Sequence, residues 1–99
     1  MGRKIIAVDF DGTLVRDAFP DIGELRSEVV RRIKEEKEKG NIIIIWTCRD
    51  GEYLKRAVDY LKEHGVPFDY VNENYPELGF ATSNKIYADE YWDDRAVQL

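Results

Sequence analysis

The chain has 99 residues, 43% hydrophobic and 35% charged, with a formal net charge of -5 and a pI near 4.9. That size supports one small globular domain over residues 1–99, and the acidic balance argues against nucleic acid or an anionic membrane as a partner. The amino terminus lacks a signal-like segment, no apolar stretch approaches the ~20 residues of a membrane span, and one cysteine excludes an internal disulfide, so the expected compartment is the cytoplasm.

Ile5-Ile6-Ala7-Val8 is an uninterrupted apolar run that reads as a buried strand, and Gly12 marks where the chain turns off it. Asp9 and Asp11 therefore fall at the carboxyl end of the first strand, the edge at which open α/β sheets bind ligands. Residues 12–23 show no sustained period. Leu25, Val29, Val30 and Ile33 then make a helical stripe ending near Gly40, with Glu28/Arg32 and Glu35/Lys39 as solvated i, i+4 pairs. Ile42 to Trp46 is apolar at every position, the pattern of a parallel strand buried on both faces. Thr47-Cys48-Arg49-Asp50 leads into a second helix with Asp50 as its N-cap. Its inner face is Leu54, Ala57, Val58 and Leu61, and Gly65 with Pro67 ends it. His64 reads as a favourable helix-end charge, Cys48 as a small buried or half-buried side chain, and Trp46 and Trp92 as core. Residues 68–71 make a third strand, 72–84 a long irregular segment, and 90–92 a short fourth strand running into Asp93-Asp94.

Strands alternating with helices imply right-handed parallel crossovers that carry the first three strands in one direction, while the fourth returns beyond the first. The expected fold is a small Rossmann-like α/β domain with a parallel sheet in the order 4-1-2-3. A topological switch then lies between strands one and four, where Asp9 and Asp93 emerge side by side. Carboxylates converging there would repel one another unless a cation sat among them, and oxygen ligands favour Mg²⁺. Both helices fall on one face, whereas the second strand needs cover on two. The segment around Tyr75, Leu78 and Phe80 is expected to cover part of the other face. A second copy of the chain is expected to cover the rest, giving a homodimer or higher homo-oligomer.

Asp-x-Asp-Gly by itself also suits a turn, and as an EF-hand loop it fails because the twelfth position from Asp9 is Pro20. Taken together, however, Asp9-Phe10-Asp11-Gly12-Thr13, Thr47, Lys85 and Asp93-Asp94 resemble, in order, the four motifs of the haloacid dehalogenase (HAD) superfamily. The likeness spans nearly the whole chain. The segment from Lys85 through Asp93-Asp94-Arg95 is also similar to that of deoxyribonucleotidase-like HAD phosphatases and of short HAD proteins associated with capsule genes.

This resemblance implies a Mg²⁺-dependent phosphomonoester hydrolase acting on a small phosphorylated metabolite such as a nucleotide or sugar phosphate. Asp9 would be the nucleophile that forms an aspartyl-phosphate, and Asp11 the general acid and base. Thr47 and Lys85 would hold the phosphoryl oxygens. Asp9, Asp93, Asp94 and the backbone carbonyl of Asp11 would hold the metal. Arg49, two residues after Thr47, is the best candidate for a further substrate contact, with Asn72, Glu73, Asn74 and Tyr75 near the mouth. Lys85 poses a geometric condition: one straight strand over residues 86–92 would put it about 25 Å from Asp93. Residues 86–89 must therefore descend before 90–92 climb back. Neither interval after the first or third strand can hold a cap domain, so the site is expected to be open, suited to a bulky or terminal phosphate, or covered by a neighbouring subunit. The alternative from another class is a receiver-like phospho-aspartate signalling or binding module without turnover. The motif order disfavours it, because a receiver's acceptor Asp ends its third strand.

Overall fold

The structure, a computed structural model, describes residues 3–73 and 87–93. Six elements follow in order: β1 (Ile5–Asp9), α1 (Ser27–Glu38), β2 (Ile42–Trp46), α2 (Gly51–Glu63), β3 (Tyr70–Val71) and β4 (Glu90–Trp92). All strand pairs are parallel and the sheet order is β3-β2-β1-β4, the small Rossmann-like arrangement expected.

Alternation along β1 and β2 sorts their apolar side chains onto two faces. Ile6, Val8, Ile43 and Ile45 pack with Val30 and Ile33 of α1 and Ala57 and Leu61 of α2, which puts both helices on one side. Ile5, Ala7, Ile42 and Ile44 form a second cluster with Ala88, flanked by Trp46 and Tyr70. Each fully buried isoleucine stabilises the fold by ~1.5–3 kcal/mol relative to leaving it in water. Ala7 and Ile44 are completely buried within a single chain. Around them Trp46 and Tyr70 are half-buried and Tyr91 is 41% exposed, so the described residues hide the centre of this face and leave its margin open. Tyr75, Leu78 and Phe80 lie outside the described residues.

The two edge strands are short, and each begins with the same device. Asp69, just before β3, donates its N–H to the Ile43 carbonyl at 2.8 Å, and its Oδ2 accepts the Ile43 N–H at 2.8 Å. Asp89, just before β4, does the same to Ile5, with both bonds at 2.7 Å. In each case a carboxylate satisfies a central-strand amide that the short neighbour leaves without a carbonyl. This is also why the third strand starts at Tyr70 rather than at residue 68. On the opposite side of the sheet, pairing at β4 begins only at Glu90, so the continuous strand that would have carried Lys85 away from the cleft does not form. Lys85 itself lies outside the described residues.

The helix ends follow the expected glycines. Gly40 and Gly65 both adopt positive φ, at 88° and 68°. Asp50 occupies the N-cap position of α2, but its side chain makes no capping bond. His64 closes α2, its Nδ1 lying 2.8 Å from the Tyr60 carbonyl.

Between β1 and α1 the chain makes a compact two-legged excursion, with no room for a cap domain. The Phe10 carbonyl accepts N–H groups from Thr13, Leu14 and Val15 at 3.0–3.3 Å, while Gly12 takes φ 92° and donates to the Val15 carbonyl. The legs are joined by Arg16 N–H to the Glu24 carbonyl and Arg26 N–H to the Leu14 carbonyl, both 2.8 Å. Gly23 lies so close to the outgoing leg that a Cβ there would sit 1.9 Å from the Arg16 carbonyl oxygen. Gly23→Ala should therefore cost about 2 kcal/mol, read by chemical denaturation, because backbone rather than a flexible side chain must move.

A second prediction concerns the β1–β4 seam. Lys4 Nζ donates to Glu90 Oε2 at 2.9 Å and the Trp92 indole donates to Glu90 Oε1 at 3.0 Å. These bonds, Lys4 first, hold the Glu90 carboxyl below its ordinary value. The stabilisation is present above pH ~4.5 and is lost as pH falls through the folded value. Glu90→Gln should consequently lose less stability than the parent between pH 5 and 3 in the same denaturation assay, by a modest amount because the pair is partly solvated.

Candidate active-site cleft

β1 and β2 are in register from Ile5↔Ile42 to Asp9↔Trp46, and β1 and β4 from Ile6↔Glu90 to Val8↔Trp92. One step beyond the last β1–β4 pair stand Asp9 and Asp93, adjacent at the carboxyl edge of the sheet where the strand order reverses. A cleft of about 390 Å³ opens there, lined by both aspartates and by Asp11, Thr47 and Arg49. The walls also include Asp17, Phe19, Trp46 and Cys48. The site residues expected at positions 9, 11, 47 and 93 are thus brought together around one space. Lys85 and Asp94, along with Asn74 and Tyr75, lie outside the described residues.

Thr47 is splinted from behind. Asn72 accepts the Thr47 N–H through Oδ1 at 2.8 Å and donates Nδ2–H to the Thr47 carbonyl at 3.1 Å. Asn72 sits at φ 53°, a left-handed backbone that asparagine tolerates better than most residues. It was expected as a mouth residue; instead it fixes the loop that carries Thr47. The Thr47 Oγ1 accepts the Arg49 N–H at 3.1 Å, which orients the hydroxyl and leaves its own proton to be donated.

Arg49 corrects the reading of it as a substrate contact. The residue is 3% exposed, and all five guanidinium N–H groups end on protein acceptors. Nε and Nη2 each donate to an Asp11 carboxylate oxygen at 2.8 Å. Nη2 also reaches the Asp21 carbonyl at 2.9 Å, and Nη1 the Pro20 and Tyr53 carbonyls at 3.3 and 3.4 Å. With no donor left over, the guanidinium cannot hold a substrate without giving up one of these bonds. What it does is pin three segments: the turn after β1, the far end of the excursion, and the first turn of α2. From sequence, only the type of residue hinted at this, since a planar five-donor fork is suited to buried pairing with a carboxylate.

Two smaller expectations also shift. Cys48 is exposed in the cleft wall rather than buried, because the chain is turning from β2 into α2 at that point. Trp92 is core at 4% exposed, whereas Trp46 is half-buried and lines the cleft, its ring 6.3 Å from Tyr91 in an edge-on contact.

Among the described residues no group of three or more His, Cys, Asp or Glu side chains forms a ready metal cage. The Asp11 carboxylate is turned to Arg49, so its side chain is not a ligand in this arrangement. What remains at the sheet edge is a pair of carboxylates, Asp9 and Asp93, with the backbone of the Asp11 turn close by. That donor set is all oxygen and suits Mg²⁺, which keeps several waters and commonly takes one or two carboxylates plus phosphate oxygens.

Fold and cleft together define a small parallel α/β protein with an acidic pocket at the switch point of its sheet. No family model and no curated protein matches the chain. A solved structure does: the conserved protein coded by a locus from Bacteroides thetaiotaomicron is 38% identical, with a TM-score of 0.85 over 97% of this chain and 79% of that one. The chain belongs to the same family as that conserved protein.

The Arg49 clamp is open to a direct test. Arg49→Met should lower unfolding free energy by about 3 kcal/mol in urea denaturation, because it strands the Asp11 carboxylate and three backbone carbonyls without donors.

Proposed function

We propose that this chain is a Mg²⁺-dependent phosphomonoester hydrolase of the HAD superfamily, working through an aspartyl-phosphate on a small phosphorylated metabolite such as a nucleotide or sugar phosphate. The observation that carries the reading is the meeting of Asp9 and Asp93, from distant parts of the chain, beside Asp11 and Thr47 around one small cleft. The motif order along the sequence agrees with it. A cytoplasmic setting suits the exposed free thiol of Cys48 in the cleft wall.

In this reading a carboxylate oxygen of Asp9 attacks phosphorus in line. The ester P–O bond breaks, and the leaving alkoxide takes a proton from Asp11. In the second half, a water gives its proton to Asp11 and attacks the phosphorus of the acyl phosphate, releasing inorganic phosphate and restoring Asp9. Thr47 donates its hydroxyl proton to a phosphoryl oxygen, and Lys85 offsets the charge on the others. Asp9, Asp93 and the Asp11 backbone carbonyl, with Asp94 beside them, would hold Mg²⁺, which would supply charge neutralisation between the nucleophile and its anionic target.

Each Asp11 oxygen accepts one Arg49 bond and keeps a second lone pair on which a proton can be carried. The three carbonyl contacts from Pro20, Asp21 and Tyr53 keep the guanidinium, and with it Asp11, in place.

With Mg²⁺ and a panel of phosphomonoesters, the chain should show steady release of phosphate, abolished by EDTA and restored by added Mg²⁺. Asp9→Asn should lower kcat by at least ~10³-fold. Rapid acid quench should trap a base-labile phosphoryl group on the parent and none on the variant. A stoichiometric phospho-aspartate without turnover would instead indicate a receiver-like module, and undiminished hydrolysis by Asp9→Asn would sink the mechanism.

A further inference from the structure

We infer that Trp46 is a further substrate-contacting residue of the cleft, its indole N–H being the donor kept for an oxygen of the bound phosphoryl group. The inference rests on the phosphomonoesterase reading for the presence of that group. Among the described residues, Trp46 Nε1 is the buried side-chain polar atom that has no hydrogen-bond partner. A polar group in that state has lost its water and gained nothing in return, so folded proteins carry few of them and each calls for a reason. The other tryptophan shows the ordinary arrangement, with the Trp92 indole donating to Glu90 Oε1 at 3.0 Å.

The position of the orphan supplies the reason. Trp46 ends β2 and is the register partner of Asp9 on β1. Parallel neighbours lie about 4.8 Å apart and alternation puts both side chains on the face that carries Ala7 and Ile44, so the ring and the nucleophile stand side by side. Both line the cleft, as does Thr47, the next residue. Phosphorus drawn against the Asp9 carboxylate brings its oxygens among the groups that flank Asp9. Arg49 cannot meet them, because its donors are spent on Asp11 and three carbonyls. Among the described lining side chains, the Thr47 hydroxyl, the weak Cys48 thiol and the Trp46 indole remain as donors. The indole adds a hydrogen bond there without adding charge beside the metal.

The nitrogen is shielded in the structure, so the ring must turn to make the bond. Its surroundings allow this: Trp46 is half-buried at the open margin of its face, and it meets Tyr91, itself 41% exposed, edge-on at 6.3 Å. The turn exchanges an orphan donor for a bond to an anionic oxygen, which is roughly twice as strong as a neutral one.

The test follows the indole N–H groups by NMR. The ¹⁵N-labelled, Mg²⁺-loaded protein gives two indole signals, one per tryptophan, and the one missing from Trp46→Phe belongs to Trp46. Inorganic phosphate, with orthovanadate as a second arm, should move the Trp46 proton downfield and leave the Trp92 proton, already bonded to Glu90, in place. Trp46→Phe keeps a ring and deletes the donor. It should bind phosphate about 10-fold more weakly by calorimetry, yet bind Mg²⁺ alone as tightly as the parent. If that variant does not fold, the parent titration decides, since one signal of the two should move. A Trp46 signal unmoved by phosphate and by vanadate, or parent-like phosphate affinity in Trp46→Phe, would overturn the inference. So would a parallel loss of Mg²⁺ binding, the mark of a structural role. Hydrolysis of glycerol phosphate, measured alongside, separates the two readings. Turnover with an unmoved indole leaves the enzyme and removes the donor; a moved indole without turnover does the reverse.

Discussion

A buried guanidinium holds the working end of this protein together. Arg49 is almost fully excluded from water, yet none of its five donors goes unsatisfied, because Asp11 takes two and three backbone carbonyls take the others. Leaving such a cation unpaired would cost several kcal/mol, so the turn after β1, the far end of the excursion and the start of α2 are obliged to converge on it. That convergence builds one wall of the cleft.

The other wall comes from sheet topology. Because α1 and α2 carry the chain one way across the sheet and β4 returns on the far side of β1, the strand ends bearing Asp9 and Asp93 become neighbours. Both carboxylates line the cleft there, beside Asp11 and Thr47. The short edge strands do not weaken this placement, since Asp69 and Asp89 complete the amide bonding of β2 and β1 where strand pairing stops.

The site residues fall into two physical kinds. Asp9, Thr47 and Asp93 sit at strand ends, where the direction of the side chain follows from the strand itself, and the apolar runs before Asp9 and Thr47 were enough to place them. Arg49, Asn72 and Phe19 depend on contacts between segments distant in sequence. Asn72 looks like a polar loop residue until its amide is seen to bridge both backbone groups of Thr47. Arg49 looks like a substrate ligand until the carbonyls of Pro20 and Asp21 are seen arriving from the excursion. Cys48, read as partly buried, is exposed because a turn rather than a strand sets its direction.

Local patterning alone determined the strands at Ile5–Asp9, Ile42–Trp46 and Glu90–Trp92, the two amphipathic helices, the parallel order of the sheet and the carboxylates at its edge. Those features are written in runs of apolar residues and in crossover handedness, which act over a few neighbouring positions or through general chirality. Tertiary structure decided what each side chain near the edge touches: that Arg49 belongs to Asp11, that Asn72 braces both backbone groups of Thr47, and that Phe19 stands exposed in the cleft wall. Hydrogen bonds and packing of that kind are selected by which groups meet in three dimensions, and no periodicity along the chain encodes them.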